Sequence, residues 1–135
     1  MTPKQIKDAI KTKFNTDITV AQSIQTQYDN VNFTPPENIL WIRFTVLPGD
    51  SGQKTTGAPG VNTTRHVGVA IAEVFSPLGK GDKDVYDTIA FIKAAFDPGT
   101  YAGVLYRTGK YFNQGRVGAH YKINFTIPYQ ADELV

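Results

Sequence analysis

The chain has no cysteine, one methionine, one tryptophan and two histidines in 135 residues. Without cysteine there is no disulfide framework, no thiolate metal site and no cysteine nucleophile, and the composition fits a reducing compartment. Net charge is also small: 14 basic against 12 acidic residues leave a formal +2. That excess does not by itself argue for a nucleic acid or an anionic membrane as partner. Long apolar runs are missing as well. The longest, Val67 to Ala72, is far short of the ~18–20 residues of a membrane helix. The opening Met-Thr-Pro-Lys-Gln-Ile-Lys is charged every few positions and has no apolar h-region, so no secretory signal is expected. Without one, the sequon matches at Asn32, Asn62 and Asn124 carry no weight.

Hydrophobic residues make up 41% of the chain, and 12 Gly with 8 Pro supply turns rather than low complexity. Disordered, collagen-like and coiled-coil classes are excluded on that balance. The length fits one domain over 1–135, large enough to hold a core without staples.

Periodicity then places the elements. Thr2 is a plausible N-cap, with Pro3 at the first helical position. Ile6, Ala9, Ile10 and Phe14 form one apolar stripe, predicting a helix over 3–14 with Lys4, Lys7 and Lys11 on its solvated side. A short strand is expected at 24–28. Residues 39–47 read as a strand with Leu40, Ile42, Phe44 and Val46 on one face and Trp41, Arg43 and Thr45 on the other. A long loop, punctuated by glycine and proline, is expected from Pro48 to about Asn62.

The next strand, 65–75, alternates large Val67, Val69, Ile71 and Phe75 with small Gly68, Ala70 and Ala72. Small residues on one face let a helix come close, so this strand is placed centrally under one. Glu73 interrupts the large face and is read as a strand end reaching solvent, with a buried acid as the alternative. Val85, Ile89, Ile92 and Phe96 then give a helical period over three turns, with Asp82 as candidate cap and Asp97-Pro98-Gly99 as stop. Strands are expected near 102–107 and 109–114, a turn at 115–118 and a last strand at 119–129, leaving a loose polar tail from Gln130. The fold class is therefore α+β: a mainly antiparallel sheet, two helices packed on one face, and a long loop between two central strands.

Chemistry-bearing motifs are sparse. Gly79-Lys80-Gly81-Asp82 lies between strand and helix but lacks the spacing of a phosphate loop and the Ser or Thr after its lysine. No GxSxG elbow surrounds Ser23, Ser51 or Ser76. His66 and His120 lie on different strands in neither an HxH nor an HExxH arrangement, and surface or strand-edge roles are expected for both. Asp82, Asp84 and Asp87 complement a helix dipole; a divalent-cation site shared with a neighbouring chain is the alternative. Aromatic strands raise base stacking, but the RNP1 arrangement is absent. No catalytic residue, cofactor or metal site is expected.

Several segments in order resemble the tail-terminator proteins of long-tailed bacteriophages. They are Val31-Asn32-Phe33-Thr34-Pro35-Pro36 before Leu40-Trp41-Ile42-Arg43-Phe44, then Pro48-Gly49-Asp50-Ser51 and Arg65-His66-Val67-Gly68. Ala72-Glu73-Val74-Phe75-Ser76-Pro77-Leu78-Gly79-Lys80-Gly81 and the final Tyr121-Lys122-Ile123-Asn124-Phe125-Thr126-Ile127-Pro128-Tyr129 complete the set. The resemblance implies a non-enzymatic virion subunit, typically in a hexameric ring, at the head-proximal end of the tail tube. Its implied partners are copies of itself, the tail tube protein and the head–tail connector protein, with DNA passing through the ring non-specifically and no membrane. Trp41 and Arg43 on the mixed strand face, and Asp50, Lys54 and Arg65 in or beside the 48–62 loop, are the expected contact residues. A connector or other minor tail component, and a nucleic-acid-binding module, are the competing readings.

Overall fold

A computed structural model describes residues 2–53 and 62–134 of the chain. Helix α1 (Pro3–Phe14) begins as expected. The Thr2 hydroxyl accepts from the Gln5 amide at 3.2 Å, and the Gln5 side chain accepts from the Thr2 amide at 2.8 Å. This reciprocal box satisfies two groups that helix geometry would leave unpaired. Ile6, Ile10 and Phe14 are buried. Beyond Phe14 one π-helical turn, Asn15–Val20, carries Ile18 into the same buried stripe. The apolar spacing did not predict this continuation.

Seven strands form one sheet among the described residues. In chain order they are β1 (Gln25–Gln27), β2 (Trp41–Gln53), β3 (Thr63–Pro77), β4 (Gly99–Tyr101), β5 (Val104–Tyr106), β6 (Lys110–Val117) and β7 (His120–Leu134). The spatial order is β1-β2-β3-β7-β5-β4, with β6 beside β7. Among these pairs only β1 and β2 run parallel. Helix α2 (Lys83–Ala95) joins β3 to the remaining strands, and Val85, Ile89, Ile92 and Phe96 are buried as the period requires. Asp82 stands at its cap position, but its side chain makes no capping hydrogen bond.

Three expectations are corrected. The 48–62 segment is not a loop throughout: β2 continues to Gln53, paired with β3 as far as Thr64. Pro48 and Gly49, which read as turn residues, sit where the register shifts between Pro48 and Ser51, a bulge that absorbs them without ending the strand. Likewise the tail from Gln130 is not loose, because β3 starts at Thr63 and pairs with β7 out to Leu134. Glu73 lies well inside β3, not at a solvent-reaching end, and is tied on both sides by ion pairs.

The core follows from register. Ile42, Val74 and Ile123 align across β2, β3 and β7, as do Phe44, Ala72 and Phe125, and Val46, Ala70 and Ile127. The middle member shrinks to alanine in two of these rows, and both alanines are fully buried. Helix α2 packs against β3 and β7, and α1 against β2 and β5. Phe14 of α1 stacks on Phe44 at 4.0 Å between ring centres. Gly68 extends the small stripe: a Cβ there would lie 2.5 Å from the Leu47 carbonyl oxygen and 2.6 Å from the Tyr129 hydroxyl. Both helices cover one face of the sheet, as the small-residue stripe requires.

Candidate functional site

The face of the sheet away from the helices carries residues chosen by strand alternation. Trp41, Phe75 and Lys122 form one row; Arg43, Glu73 and Asn124 form the next. Trp41 is only 5% exposed. Its ring stacks on Phe75 at 4.3 Å, with Phe33 at 5.5 Å and His120 edge-on at 6.2 Å. Among the described residues, the buried indole Nε1 has no hydrogen-bond partner. Trp41 therefore holds an aromatic cluster together and is not displayed at the surface.

Beside the cluster, Glu73 bonds to Arg43 and receives the Lys122 ammonium at 2.8 Å. Burial disfavours the Glu73 carboxylate, but hydrogen bonds and charge from Arg43 and Lys122 outweigh it, holding the carboxyl below its ordinary range. Arg43 and Lys122 also lie 5.4 and 5.2 Å from the Phe75 ring centre. Lys122 is buried to 8% exposure, whereas the Arg43 side chain keeps 44%. Of the expected contact residues on this strand face, Arg43 is the one open to solvent.

The other end of the same strands holds a second polar group. Arg65 meets Asp132 across the β3–β7 ladder at 3.0 and 3.3 Å. On the helix side, the His66 Nδ1 lies 2.7 Å from the Ser51 hydroxyl and its Nε2 lies 2.8 Å from Glu133. This trio ties β2, β3 and β7 together. Sequence reasoning missed it because its members come from three strands and Glu133 fell in a tail expected to be loose. Arg65 pairs in register with Gly52 of β2. Asp50 lies in β2, but its side chain is outside the described residues, as is the whole of Lys54. The expected contacts thus divide into two groups, Trp41 with Arg43 and Asp50 with Arg65. At a rise of ~3.3 Å per residue the two ends of β2 are ~40 Å apart.

A third surface was not singled out from the sequence. Strand β6 is exposed or half-buried along its whole length, with Tyr111, Phe112 and Val117 at 59%, 66% and 41% exposure. The usable signal was the pair Tyr111-Phe112 itself. Consecutive strand residues face opposite ways, so only one of the two rings can point to the helix-covered side.

A cleft of about 330 Å³ lies between the start of α1 and the bulged part of β2, lined by Pro3, Ile6, Val46, Pro48 and Tyr129. Among the described residues, no three His, Asp or Glu side chains converge for a metal. Asp87 pairs with Lys83 at 3.3 Å within α2. Also among the described residues, no helix is long and apolar enough to cross a membrane.

An α+β subunit with a half-covered sheet, polar ties at both ends and an exposed edge strand has the features of an assembly component. The comparisons with known proteins agree. The family described as "Phage tail terminator protein" matches residues 5–114, and the chain belongs to that family. It is accordingly a structural protein of the phage tail, placed in the virion. Solved structures also match. One of them, 19% identical, aligns over 97% of this chain and 96% of its own with a TM-score of 0.72, which shows a shared fold. No curated protein matches the chain.

Proposed function

We propose that this protein forms a closed homo-oligomeric ring, a hexamer, at the head-proximal end of the tail tube. There it ends tube polymerisation and presents the surface that the head–tail connector joins. The observation that carries this reading is the family match across residues 5–114. The chain acts as one domain and performs no catalysis.

A cyclic ring needs two different complementary patches on each subunit. Exposed Arg43 at one end of β2 and Arg65 beside the other end supply polar contacts to a neighbouring subunit, the tube or the connector, joined by Asp50 and Lys54 of the expected contact set. Trp41 stacks on Phe75, the ring beside which Arg43 lies. The +2 charge per chain is multiplied around the ring axis, which suits a collar for DNA passing without sequence preference.

Negative-stain imaging of the purified protein tests the reading. The expected particle is a ring whose hole is about as wide as a DNA duplex. Monomers that never bind tube ends would sink it. If rings form but label the connector side in partly assembled particles and leave tube ends bare, the protein is a connector instead.

A further inference from the structure

We infer that strand β6 of one copy docks against the opposite sheet edge of a second copy, made by residues 28–40 and the outer side of β2. This rests on the ring reading above and names the surfaces that reading requires.

Three observations meet here. First, β6 has a single described strand partner, β7. Its amide and carbonyl groups on the far side form a sheet edge, and it carries Phe112 at 66% and Tyr111 at 59% exposure. An edge strand that displays large aromatic side chains, protected by its charges and by one register shift between Asn113 and Gly115, is still a template for another chain. The β6–β7 hairpin is also geometrically firm: Val117 pairs with His120 across a two-residue turn whose first residue, Gly118, has φ +60. Glycine at that position suits the turn types that match strand twist. Asn113 further ties β6 to Tyr86 of α2 at 3.2 Å.

Second, the two edges are at opposite ends of the molecule. In the order β1-β2-β3-β7, with β6 beside β7, residues next to β1 and β2 lie across the sheet from β6. Strand β1 covers only Trp41 to Arg43 of β2. The chain segment beside it exposes Val31 at 54% and Ile39 at 50%. A contact between unlike edges on opposite sides is heterologous, and it gives a ring when the rotation between copies closes, whereas a like-to-like contact stops at a dimer.

Third, the charges complement each other. From Arg107 to Gly118 there are three basic residues, Arg107, Lys110 and Arg116, and no acid. From Tyr28 to Leu40 there are two acids, Asp29 and Glu37, and no base; Asp29 is already paired with Lys7 of α1 at 3.4 Å, so Glu37 carries the acidic character of this edge. Opposed potentials of this kind set partner choice and register, with the exposed aromatic as the anchor.

The test uses the full chain and two variants: Phe112→Asp on β6, and Val31→Lys with Ile39→Lys on the other edge. All three side chains are exposed, so each variant is expected to keep the wild-type circular dichroism and melting profile. Mass photometry across a concentration series should show rings for wild type. Each variant alone should associate at least ~30-fold more weakly. Mixed one to one, the variants retain one intact pair of edges between them and should form dimers but no rings. Rings that persist in Phe112→Asp, or a mixture that stays monomeric, would overturn the inference. So would a wild-type chain that is monomeric throughout the series. Wild-type rings that dissolve in the variants yet ignore tube ends would leave this contact standing and sink the terminator reading.

Discussion

At the scale of single residues, Glu73 is the side chain whose removal should be felt most on the open face. It neutralises Lys122, whose side chain is 10% exposed, and orients Arg43. Glu73→Gln leaves that ammonium without a carboxylate and should cost about 1–3 kcal/mol near neutral pH, discounted from a fully buried pair because Arg43 is half-exposed. The pH dependence has a definite sign. The Glu73 carboxyl is held below its ordinary value of 4.5. Its contribution is complete above that value and is lost as pH falls through the lower folded-state value. Urea melts of wild type and Glu73→Gln should therefore differ near neutrality and converge on acidification. A gap that is constant with pH would show that the loss is packing rather than charge. Gly68 makes a different prediction. Gly68→Ala should destabilise by about 1–3 kcal/mol. Adding Tyr129→Phe should not restore the loss, because the Leu47 carbonyl is backbone and stays in place. Full rescue would contradict this.

At the scale of elements, helix α1 depends on its cap and on one aromatic stack. Thr2→Ala should cost ~1 kcal/mol, since the hydroxyl bond to Gln5 is lost while the helix itself remains. Phe14→Ala should cost ~3–5 kcal/mol, because Phe14 is fully buried and stacked on Phe44. Thermal melts rank the two, and a Phe14 loss no larger than the Thr2 loss would refute the packing described. Both residues are legible in the sequence because their signals are local: a cap pattern and a stripe at helical spacing. The alternating faces of β2, β3 and β7 are legible for the same reason. The extent of those strands is not. Pro48, Gly49 and Gly52 carry turn propensities, and only pairing with β3, donated from more than a dozen residues away, keeps that stretch extended. The polar end of β7 is ordered by Arg65 and His66, which its own sequence does not announce. Arg43 was placed on the correct face, whereas the burial of Trp41 depends on Phe75 and Phe33, contacts no spacing rule encodes.

At the scale of the whole molecule, helices cover one face of a sheet whose open face is crossed by side-chain ties. Among the described residues, dissimilar edges are left at its two sides. That arrangement explains why the sequence holds no recognisable catalytic motif and why the family could still be read from ordered segments. The match to the terminator family spans residues 5–114 and rests on segments spread along the chain, not on a catalytic motif. Central to the proposed function is that copies of this chain close a ring that ends tube growth. The most direct measurement is tube length, with tail tube protein polymerised in increasing amounts of this protein and imaged by electron microscopy. Shorter tubes with a ring at one end are expected, with growth that stops once that end is occupied. Tubes of unchanged length with bare ends, at protein concentrations where rings are present, would contradict it.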